Sequence, residues 1–494
     1  MATSRSAKAF NSYNPVTGEP VGSYPIYSAK QVSEIVSHAR HASTAWVNLG
    51  FPGRKKVLLA WSKYIINNID QIAALVSLET GKPISDAKLE VSMAVSHIGW
   101  AARHAEDIMR TSYRAPGALM ANMSATVERS PLGVVGVIGP WNYPIFTPVG
   151  SIAYALAAGN TVVFKPSEYT PGVGVWLEES FNSVAPFADI FTTITGLADT
   201  GNALCLSGVD KLSFTGSTRT AKLVAAACAI NMTPVVLECG GKDPVIVASD
   251  ANLDRAVDAT IWSAMANAGQ SCIGAERVYV DEKVADSFIA KAVALAGTIH
   301  AGAPGDGNYG PATMPSQISV ISSHIKAAIK DGGQFAYGSL KSVQEPFVQP
   351  VILVDVPESS AAVREETFGP IIIINRVAHM KEAIELSNAS RYGLGANIWS
   401  KRQGKKIASQ LHCGMVAINS TFSFAAIPSV PFGGVKDSGY GRMHGPEGLL
   451  EYTYPRTVVR TRFNIPLHFL SFKRRAKDDK LVIKATKILK GRLG

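Results

Sequence analysis

Residues 134–168 read VVGVIGPWNYPIFTPVGSIAYALAAGNTVVFKPSE, and this stretch decides the fold. It contains two short apolar runs, 134–138 and 161–164, separated by small and apolar residues over a length that suits a helix. Apolar runs of this length, bounded by glycine or proline, are typical of strands buried in a parallel sheet. We therefore predict a strand–helix–strand unit whose two strands are parallel.

The alternation of strand and helix continues along the chain and indicates an α/β fold. Further strands are predicted at 190–195, 211–214 and 234–237, which extend the first unit into a doubly wound parallel sheet. A second α/β unit begins after Gly241, with strands predicted at 244–248, 277–280, 349–354 and 371–374 and a helix over 253–268. Residues 28–110 are mostly helical in pattern and are expected to cover the first sheet.

A chain of 494 residues is too long for one hydrophobic core, which agrees with two or three domains. Two β-rich pieces, 125–129 and 457–463, lie outside both α/β units. They can pair with each other or with another subunit, so we predict a small β element that serves oligomerisation.

The net charge of +10 resides in the C-terminal tail. Residues 456–494 contain 12 of the 48 basic residues and two of the 38 acidic ones, so the rest of the chain is electrically balanced. The high isoelectric point therefore says little about the body of the protein, and we expect no nucleic acid as a partner.

The tail has the pattern of a helix. Lysines recur at helical spacing beside an apolar stripe; the lysines are Lys480, Lys484, Lys487 and Lys490, and the stripe is Leu481, Ala485, Ile488 and Leu489. Two interpretations stay open: a solvated surface helix, or an amphipathic segment that lies on an anionic membrane or on a partner. The tail has no apolar run that could span a bilayer, and MATSRSAKAF lacks the core of a signal peptide. We expect a cytoplasmic protein with at most peripheral membrane contact.

The five cysteines, at positions 205, 228, 239, 272 and 413, are widely spaced and form no CxxC or Cys/His cluster. We therefore predict neither a disulfide framework nor a metal site. Cys272, in NAGQSCIGAERVYV, lies between a predicted helix and a predicted strand, in the kind of loop that presents catalytic groups. A lone cysteine is also commonly a small buried hydrophobe, so its position alone leaves both interpretations open.

Polar residues follow the predicted strands where each strand ends. Glu238 ends the run TPVVLE, Asn142 lies in GPWNYP, and Lys165 and Glu168 lie in FKPSE. Ligands of open α/β sheets bind at the carboxyl ends of the strands. A carboxylate there can act as an acid or base or can cap a helix, and an asparagine amide can stabilise an oxyanion or fix a turn.

FTGSTRTA, residues 214–221, places Gly216 and Ser217 between a strand and a helix. The N-terminus of such a helix attracts phosphate, although simple N-capping by Ser217 explains the same residues. A carboxylate at Glu168 would accept hydrogen bonds from ribose hydroxyls and repel a 2′-phosphate, which favours NAD over NADP. The sequence contains no GxGxxG after a strand, no GxxxxGK[ST] and no HExxH.

Seven motifs occur together in the order and spacing of one family. GPWNYP, FKPSE, FTGST, LECGGKDP, GQSC, EETFGP and PFGGVKDSGYGR resemble the motifs of the aldehyde dehydrogenase superfamily over roughly residues 10–460. The resemblance implies a nucleophile at Cys272, a general base at Glu238 and an oxyanion-hole amide at Asn142. It implies cofactor contacts at Lys165, Glu168, Gly216, Ser217, Glu366 and Phe368, and an aldehyde tunnel lined by Tyr143, Thr147, Ile273 and Phe432.

The resemblance also implies a reaction and an architecture. An aldehyde would be oxidised to a carboxylic acid with NAD, NADP also being allowed, through a thiohemiacetal and a thioester on Cys272 that water hydrolyses. The expected regions are an NAD-binding domain of residues 1–111 and 131–239, a catalytic domain of 240–430, an oligomerisation and bridging element of 112–130 and 431–464, and the basic tail 465–494. Members of the family form homodimers or homotetramers.

Other functions on the same scaffold are less consistent with these residues. CoA-acylating relatives typically lack the general base, phosphorylating relatives lack Asn142, Glu238 and EETFGP together, and a non-catalytic protein would have damaged site residues. The mainly apolar tunnel favours an aliphatic or aromatic aldehyde. HGPEGLLEYT, however, resembles some bacterial succinate-semialdehyde dehydrogenases, which keeps succinate semialdehyde as the alternative substrate.

The chain departs from the family pattern at Ala221, where glycine is common, at Cys239, where leucine is usual, and in the tail after residue 464. Ala221 leaves the preference between NAD and NADP in question. Cys239 is interpreted as structural, with a redox-sensitive pair between Cys239 and Cys272 as the alternative.

Overall fold

The computed structural model describes residues 8–465 and 471–491. The chain begins with an antiparallel hairpin of β1 (Ala9–Tyr13) and β2 (Pro20–Pro25). Four helices follow: α1 (Ala29–Asn48), α2 (Gly50–Asn67), α3 (Ile69–Thr80) and α4 (Ile84–Ile108). Ser28 starts α1 with a capping box, and Gly81 in the left-handed conformation ends α3. The prediction that residues 28–110 are mostly helical is confirmed.

Two strands, β3 (Ser112–Arg114) and β4 (Met123–Pro131), lead into the first large sheet. Its parallel strands are β5 (Val134–Ile138), β6 (Thr161–Lys165), β7 (Phe191–Thr193), β8 (Lys211–Gly216) and β9 (Val235–Cys239). The helices between them are α5 (Phe146–Ala158), α6 (Pro171–Asn182), α7 (Ala198–Leu206) and α8 (Thr218–Ala229). The strand order 9-8-5-6-7 reverses direction at β5, and ligands bind at such a switch point in doubly wound sheets.

The second large sheet has seven strands, of which only β12 is antiparallel in the described part of the chain. The strands of this region are β10 (Pro244–Val247), β11 (Arg277–Asp281), β12 (Gln334–Tyr337), β13 (Val343–Gln344), β14 (Phe347–Val348), β15 (Val351–Val354), β16 (Ile371–Val377), β17 (Gly395–Trp399) and β18 (Met415–Ile418). Its helices are α9 (Leu253–Met265), α10 (Glu282–Ala296), α11 (Pro315–Lys330), α12 (Ala361–Arg364), α13 (Met380–Asn388), α14 (Gly404–Ala408) and α15 (Ser423–Ala426). The order is 12-15-16-11-10-17-18, with β13 and β14 forming a separate hairpin.

The C-terminal part returns to the first half of the chain. It contains β19 (Gly439–Tyr440), α16 (Gly445–Leu450), β20 (Thr453–Thr461) and α17 (Ala476–Lys490). β19 adds an antiparallel edge to the first sheet beside β9, and β20 pairs with β4, which also pairs with β3. The pairing predicted for the two β-rich pieces and the helix predicted in the tail are confirmed. No helix within the described ranges is long and apolar enough to cross a membrane.

The helix predicted over 253–268 ends earlier in the structure. After α9 the chain forms a tight 3-10 turn, Ala266–Gly269, in which Asn267 and Ala268 have positive φ angles of 54° and 56°. The side-chain amide of Asn267 donates to the carbonyls of Gln270 and Asn142, at 3.1 Å in both cases, and holds this turn. The run of small and apolar residues continues through the turn, so periodicity alone does not mark the break.

Candidate active site

The carboxyl ends of β5, β8 and β9 border a cavity of about 860 Å³, here called the sheet-edge cavity. Parallel strands end at the same edge of the sheet, and for this reason residues far apart in sequence meet there. Seven of the nine predicted catalytic and cofactor residues line this cavity, as does the predicted tunnel residue Thr147; the seven are Asn142, Gly216, Ser217, Glu238, Cys272, Glu366 and Phe368.

A second cavity, of about 810 Å³, is here called the apolar tunnel. All four predicted tunnel residues, Tyr143, Thr147, Ile273 and Phe432, line it, together with further large apolar side chains such as Met93, Phe146, Trp262 and Phe422. The lining residues common to the two cavities are Thr147, Glu238 and Cys272. The thiol of Cys272 is therefore accessible from both cavities.

Glu238 lies in β9, where the antiparallel edge strand β19 covers it. Its side chain is buried, and burial raises the pKa of this carboxyl group to about 8. The neighbouring Cys272 thiol lowers that pKa in part, and one carboxylate oxygen of Glu238 is buried without a hydrogen-bond partner among the described residues. A group with this pKa is able to accept a proton near neutral pH and to release it again.

Cys272 lies in the loop after the Ala266–Gly269 turn and is partly exposed. Desolvation raises the pKa of its thiol well above the ordinary value, and the nearby carboxylates of Glu238 and Glu366 raise it further. Nucleophilic attack by this sulfur therefore requires a base that takes its proton, and Glu238 lines the same two cavities as Cys272.

The loop that carries Asn142 is anchored through buried polar groups. The Asn142 side-chain amide donates to the carbonyl of Gln270 at 2.9 Å, which ties it to the loop of Cys272. The backbone carbonyl of Asn142 accepts from Lys82 Nζ at 2.7 Å. Glu90 pairs with Lys82 at 2.7 Å, and its other oxygen accepts the backbone N–H of Ile145 at 2.8 Å. The amide nitrogen of Asn142 is thus fixed beside the cavity, as stabilisation of an oxyanion requires.

The EETFGP loop lines the sheet-edge cavity and contacts the chain just after β9. The Glu366 carboxylate accepts the backbone N–H of Gly241 at 3.2 Å. It also packs so closely on Gly240 that a Cβ at that glycine would clash with the carboxylate. The backbone N–H groups of Thr367 and Phe368 both donate to Glu276, whose carboxylate also pairs with buried Lys242. The loop is therefore held firmly at the mouth of the cavity.

The remaining predicted residues lie next to this cavity. Ser217 caps α8 by accepting the backbone N–H of Thr220, so the helix begins at the cavity wall. Lys165 and Glu168 are outside the set of lining residues: they lie at the end of β6, the neighbour of β5, where Lys165 Nζ is 3.8 Å from a Glu168 oxygen. Both groups are therefore at the sheet edge that a bound nucleotide would follow.

The model of the aldehyde dehydrogenase family matches residues 2–458. The chain belongs to the aldehyde dehydrogenase family. This dehydrogenase is 34% identical to a 4,4'-diapolycopene aldehyde oxidase of Methylomonas sp over 92% of its own length and 86% of that protein. It is 33% identical to a succinate-semialdehyde dehydrogenase [NADP(+)] of Deinococcus radiodurans over 92% and 96% of the two chains. A structure of NADP-dependent glyceraldehyde-3-phosphate dehydrogenase from Bacillus halodurans, complexed with NADP, superposes with a TM-score of 0.87 at 32% identity, covering 93% and 97%.

Sequence reasoning missed part of the wall of this dehydrogenase's tunnel. Lys82, Asp86, Glu90 and Met93, which precede α4 or lie in it, line the apolar tunnel, as does His444 near the C-terminus. They are separated from Cys272 by long stretches of sequence. Lys82, Asp86, Glu90 and Met93 lie outside every motif of the sequence analysis, and His444 opens the run HGPEGLLEYT, which that analysis did not connect with the tunnel. Among the described residues, no group of three or more His, Cys, Asp or Glu side chains is arranged to hold a metal ion.

Proposed function

We propose that this aldehyde dehydrogenase oxidises an apolar aliphatic or aromatic aldehyde to the carboxylic acid, with Cys272 as nucleophile, Glu238 as base and NAD as the preferred cofactor. The observation that carries the proposal is the meeting of two cavities at Cys272 and Glu238. One cavity is lined by apolar side chains and the other by the polar loops at the sheet edge, so the two reactants have separate binding sites.

The chemistry begins with proton transfer from the Cys272 thiol to Glu238, whose carboxyl pKa of about 8 suits this exchange. The thiolate adds to the aldehyde carbon, and the side-chain amide of Asn142 stabilises the oxyanion of the thiohemiacetal. When bound, the dinucleotide supplies the hydride acceptor that oxidation requires. Glu238 releases the thiol proton to solvent and then removes a proton from water, and the hydroxyl oxygen bonds to the thioester carbon. The carbon–sulfur bond breaks, which releases the acid and a Cys272 thiolate that takes the proton back from Glu238.

The charged side chains of the tunnel favour an apolar substrate over the semialdehyde of a dicarboxylic acid, which carries one carboxylate. Its ionisable side chains include the acids Asp86, Glu90 and Glu238, and its one lysine, Lys82, is already paired with Glu90. No arginine lines it in the described part of the chain. A substrate carboxylate would therefore lose its hydration among acidic groups without a cation to pair with.

Succinate semialdehyde is the alternative, and the names of several relatives favour it. Sequence similarity alone does not distinguish between the two substrate classes, because another relative of equal identity is named for 4,4'-diapolycopene aldehyde. The decisive measurement is kcat/KM across straight-chain aldehydes of increasing length, benzaldehyde and succinate semialdehyde. We expect kcat/KM to increase with chain length, and a preference for the semialdehyde would overturn the apolar assignment.

The cofactor site fits a dinucleotide by its donor groups. The first turn of α8 borders the sheet-edge cavity and offers backbone N–H groups and a positive helix end to a pyrophosphate. Glu168, half-exposed at the end of β6, is placed to accept hydrogen bonds from ribose hydroxyls and to repel a 2′-phosphate. Relatives are named as NADP-dependent, so the panel is to be measured with NAD and NADP side by side.

We also propose that the enzyme is cytoplasmic and forms a homodimer or homotetramer through the sheet of β3, β4 and β20. Tyr454, Val458 and Val459 of β20 are exposed apolar side chains on this sheet, which supports its use as a contact surface. The basic tail is proposed to give peripheral contact with a membrane. Sedimentation velocity of the full chain tests the oligomeric state, and a monomer would contradict it.

A further inference from the structure

None of the described residues of the C-terminal tail lines either cavity at Cys272, yet Ala476–Lys490 form a helix that packs against the body of the protein. Within the described residues, α17 rests on the turn at Ala118–Met120, where Leu119, Met120 and Val482 border a groove. Val482 and Ala485 are partly buried on this side. The helix therefore has an inner side that packs on the protein and an outer side that faces solvent.

The outer side of α17 presents a stripe of lysines. Lys477, Lys480, Lys484 and Lys487 are spaced by three, four and three residues, which places them on one face, and all four are exposed. The acids of the tail are already paired, because Arg475 lies 3.5 Å from Asp478 and Arg474 lies 3.0 Å from Asp479. No ion pair among the described residues involves a lysine of this stripe. Four positive charges therefore remain uncompensated.

Apolar side chains flank the lysine stripe. Leu481 and Ile488 lie along one edge of it and Ile483 along the other, each about half exposed at 50%, 51% and 55%. Phe472, shortly before the helix, is fully exposed. A monomeric soluble surface gains nothing from exposing four large apolar groups beside a basic stripe, whereas helices that lie in a membrane interface have this composition.

We propose that the outer face of α17 binds an anionic lipid surface, with the lysine stripe on the headgroups and Phe472, Leu481 and Ile488 in the boundary below them. Charge complementarity selects this occupant over a second copy of the chain, because two such stripes repel each other. The aliphatic flanks select it over nucleic acid, which is recognised mainly through arginine, polar side chains and stacked aromatic rings.

Membrane binding of this kind goes beyond the proposed reaction and does not depend on it. Its consequence for the proposed reaction is a higher local concentration of apolar aldehyde, because such a compound partitions into the bilayer. The vesicle experiment below measures binding alone, so a failure of the proposed reaction leaves its result intact.

The test is co-sedimentation of the full chain with vesicles of phosphatidylcholine alone or of phosphatidylcholine and phosphatidylglycerol in equal parts. We expect binding to the mixed vesicles only, and release at high salt because surface charges are screened. Lys480→Gln, Lys484→Gln and Lys487→Gln combined should weaken partitioning on the order of 100-fold, since each lysine contributes about fivefold near an anionic surface. Leu481→Ser with Ile488→Ser should weaken it further.

A matched control removes the same charge elsewhere: Lys55→Gln, Lys56→Gln and Lys63→Gln on α2, where these lysines are exposed. The control should bind like the wild type, and equal loss in both triple variants would reduce the effect to overall charge and overturn the proposal. Binding to neutral vesicles, or wild-type binding by the tail variant, would also overturn it. So would tail-dependent binding of a DNA duplex or tail-dependent dimerisation in the absence of vesicle binding. Oxidation of a short aldehyde without vesicles should be unchanged in the tail variant.

Discussion

Lys82 Nζ and Glu90 Oε2 lie 2.7 Å apart in an ion pair that is excluded from water. The same ammonium group donates to the Asn142 carbonyl, and Glu90 also accepts the backbone N–H groups of Ile145 and Phe146. The loop that follows the central strand of the first sheet is thereby fastened to α4. A charged pair far from Cys272 in sequence thus helps to place the amide beside it.

We predict that Lys82→Met destabilises the protein by about 3–5 kcal/mol, because it leaves the Glu90 carboxylate buried without its cation. Urea denaturation at pH 7 measures the change. Lys88→Met is the matched control, since Lys88 forms an exposed ion pair with Asp70 at 2.6 Å. The control should lose less than about 1 kcal/mol. Similar losses of stability in the two variants would show that the buried ion pair stabilises the protein no more than the exposed pair does.

Cys272→Ala is expected to abolish aldehyde oxidation while dinucleotide binding is largely retained, because only the sulfur forms the covalent intermediate. Steady-state absorbance at 340 nm and cofactor titration by fluorescence measure the two properties. Cys413→Ala, which removes a partly exposed thiol that lines neither cavity, should keep wild-type activity. Turnover by the Cys272 variant would rule out the proposed nucleophile.

The rate of oxidation is expected to rise with pH through a transition near 8, because Glu238 acts as a base only when its carboxyl group is deprotonated and burial raises its pKa to about 8. Glu238→Gln should remove this transition and slow hydrolysis of the thioester. Mass spectrometry of the quenched variant should then detect mainly unacylated Cys272, because the thiol has lost the base that takes its proton. A wild-type rate that falls with pH over this range would contradict the assignment of Glu238 as base.

Glu168→Ser should move the cofactor preference towards NADP, because the carboxylate that repels a 2′-phosphate is removed. We expect the ratio of kcat/KM for NADP to that for NAD to rise about tenfold, which corresponds to about 1.4 kcal/mol. Glu179→Ser, on the exposed side of α6, controls for the loss of one negative charge. An unchanged ratio in the Glu168 variant would remove this residue from the cofactor site.

The sequence alone predicted the sheets and the residues at their edge because both follow from local patterns. Apolar runs predicted β5, β6 and β8, and the ends of the predicted strands made Asn142 and Glu238 candidates whose roles the family resemblance then implied. Parallel strands then bring those residues together by geometry alone. This explains why Asn142, Glu238 and Cys272 line one cavity although 130 residue positions separate the first from the last.

The parts that could not be predicted depend on contacts between distant elements. Lys82 and Glu90 are buried against a loop that lies 60 and 55 residues further along the chain, and no local pattern predicts that burial. The left-handed turn at Asn267 and Ala268 is fixed by hydrogen bonds to the Asn142 loop, so helical periodicity extended α9 too far. The exposed lysine face of α17 likewise could be assigned only from the structure, which shows the side of the helix that packs on the protein.

The two cavities that meet at Cys272 give this protein two separate routes to the same residue. An aldehyde can enter, and an acid can leave, through the apolar tunnel without passing the polar loops that border the sheet-edge cavity. In the proposed reaction, the lifetime of the thioester depends on how soon water and Glu238 reach a sulfur atom that borders both cavities. Exchange of aldehyde and acid through the apolar tunnel therefore does not depend on exchange of the dinucleotide through the sheet-edge cavity.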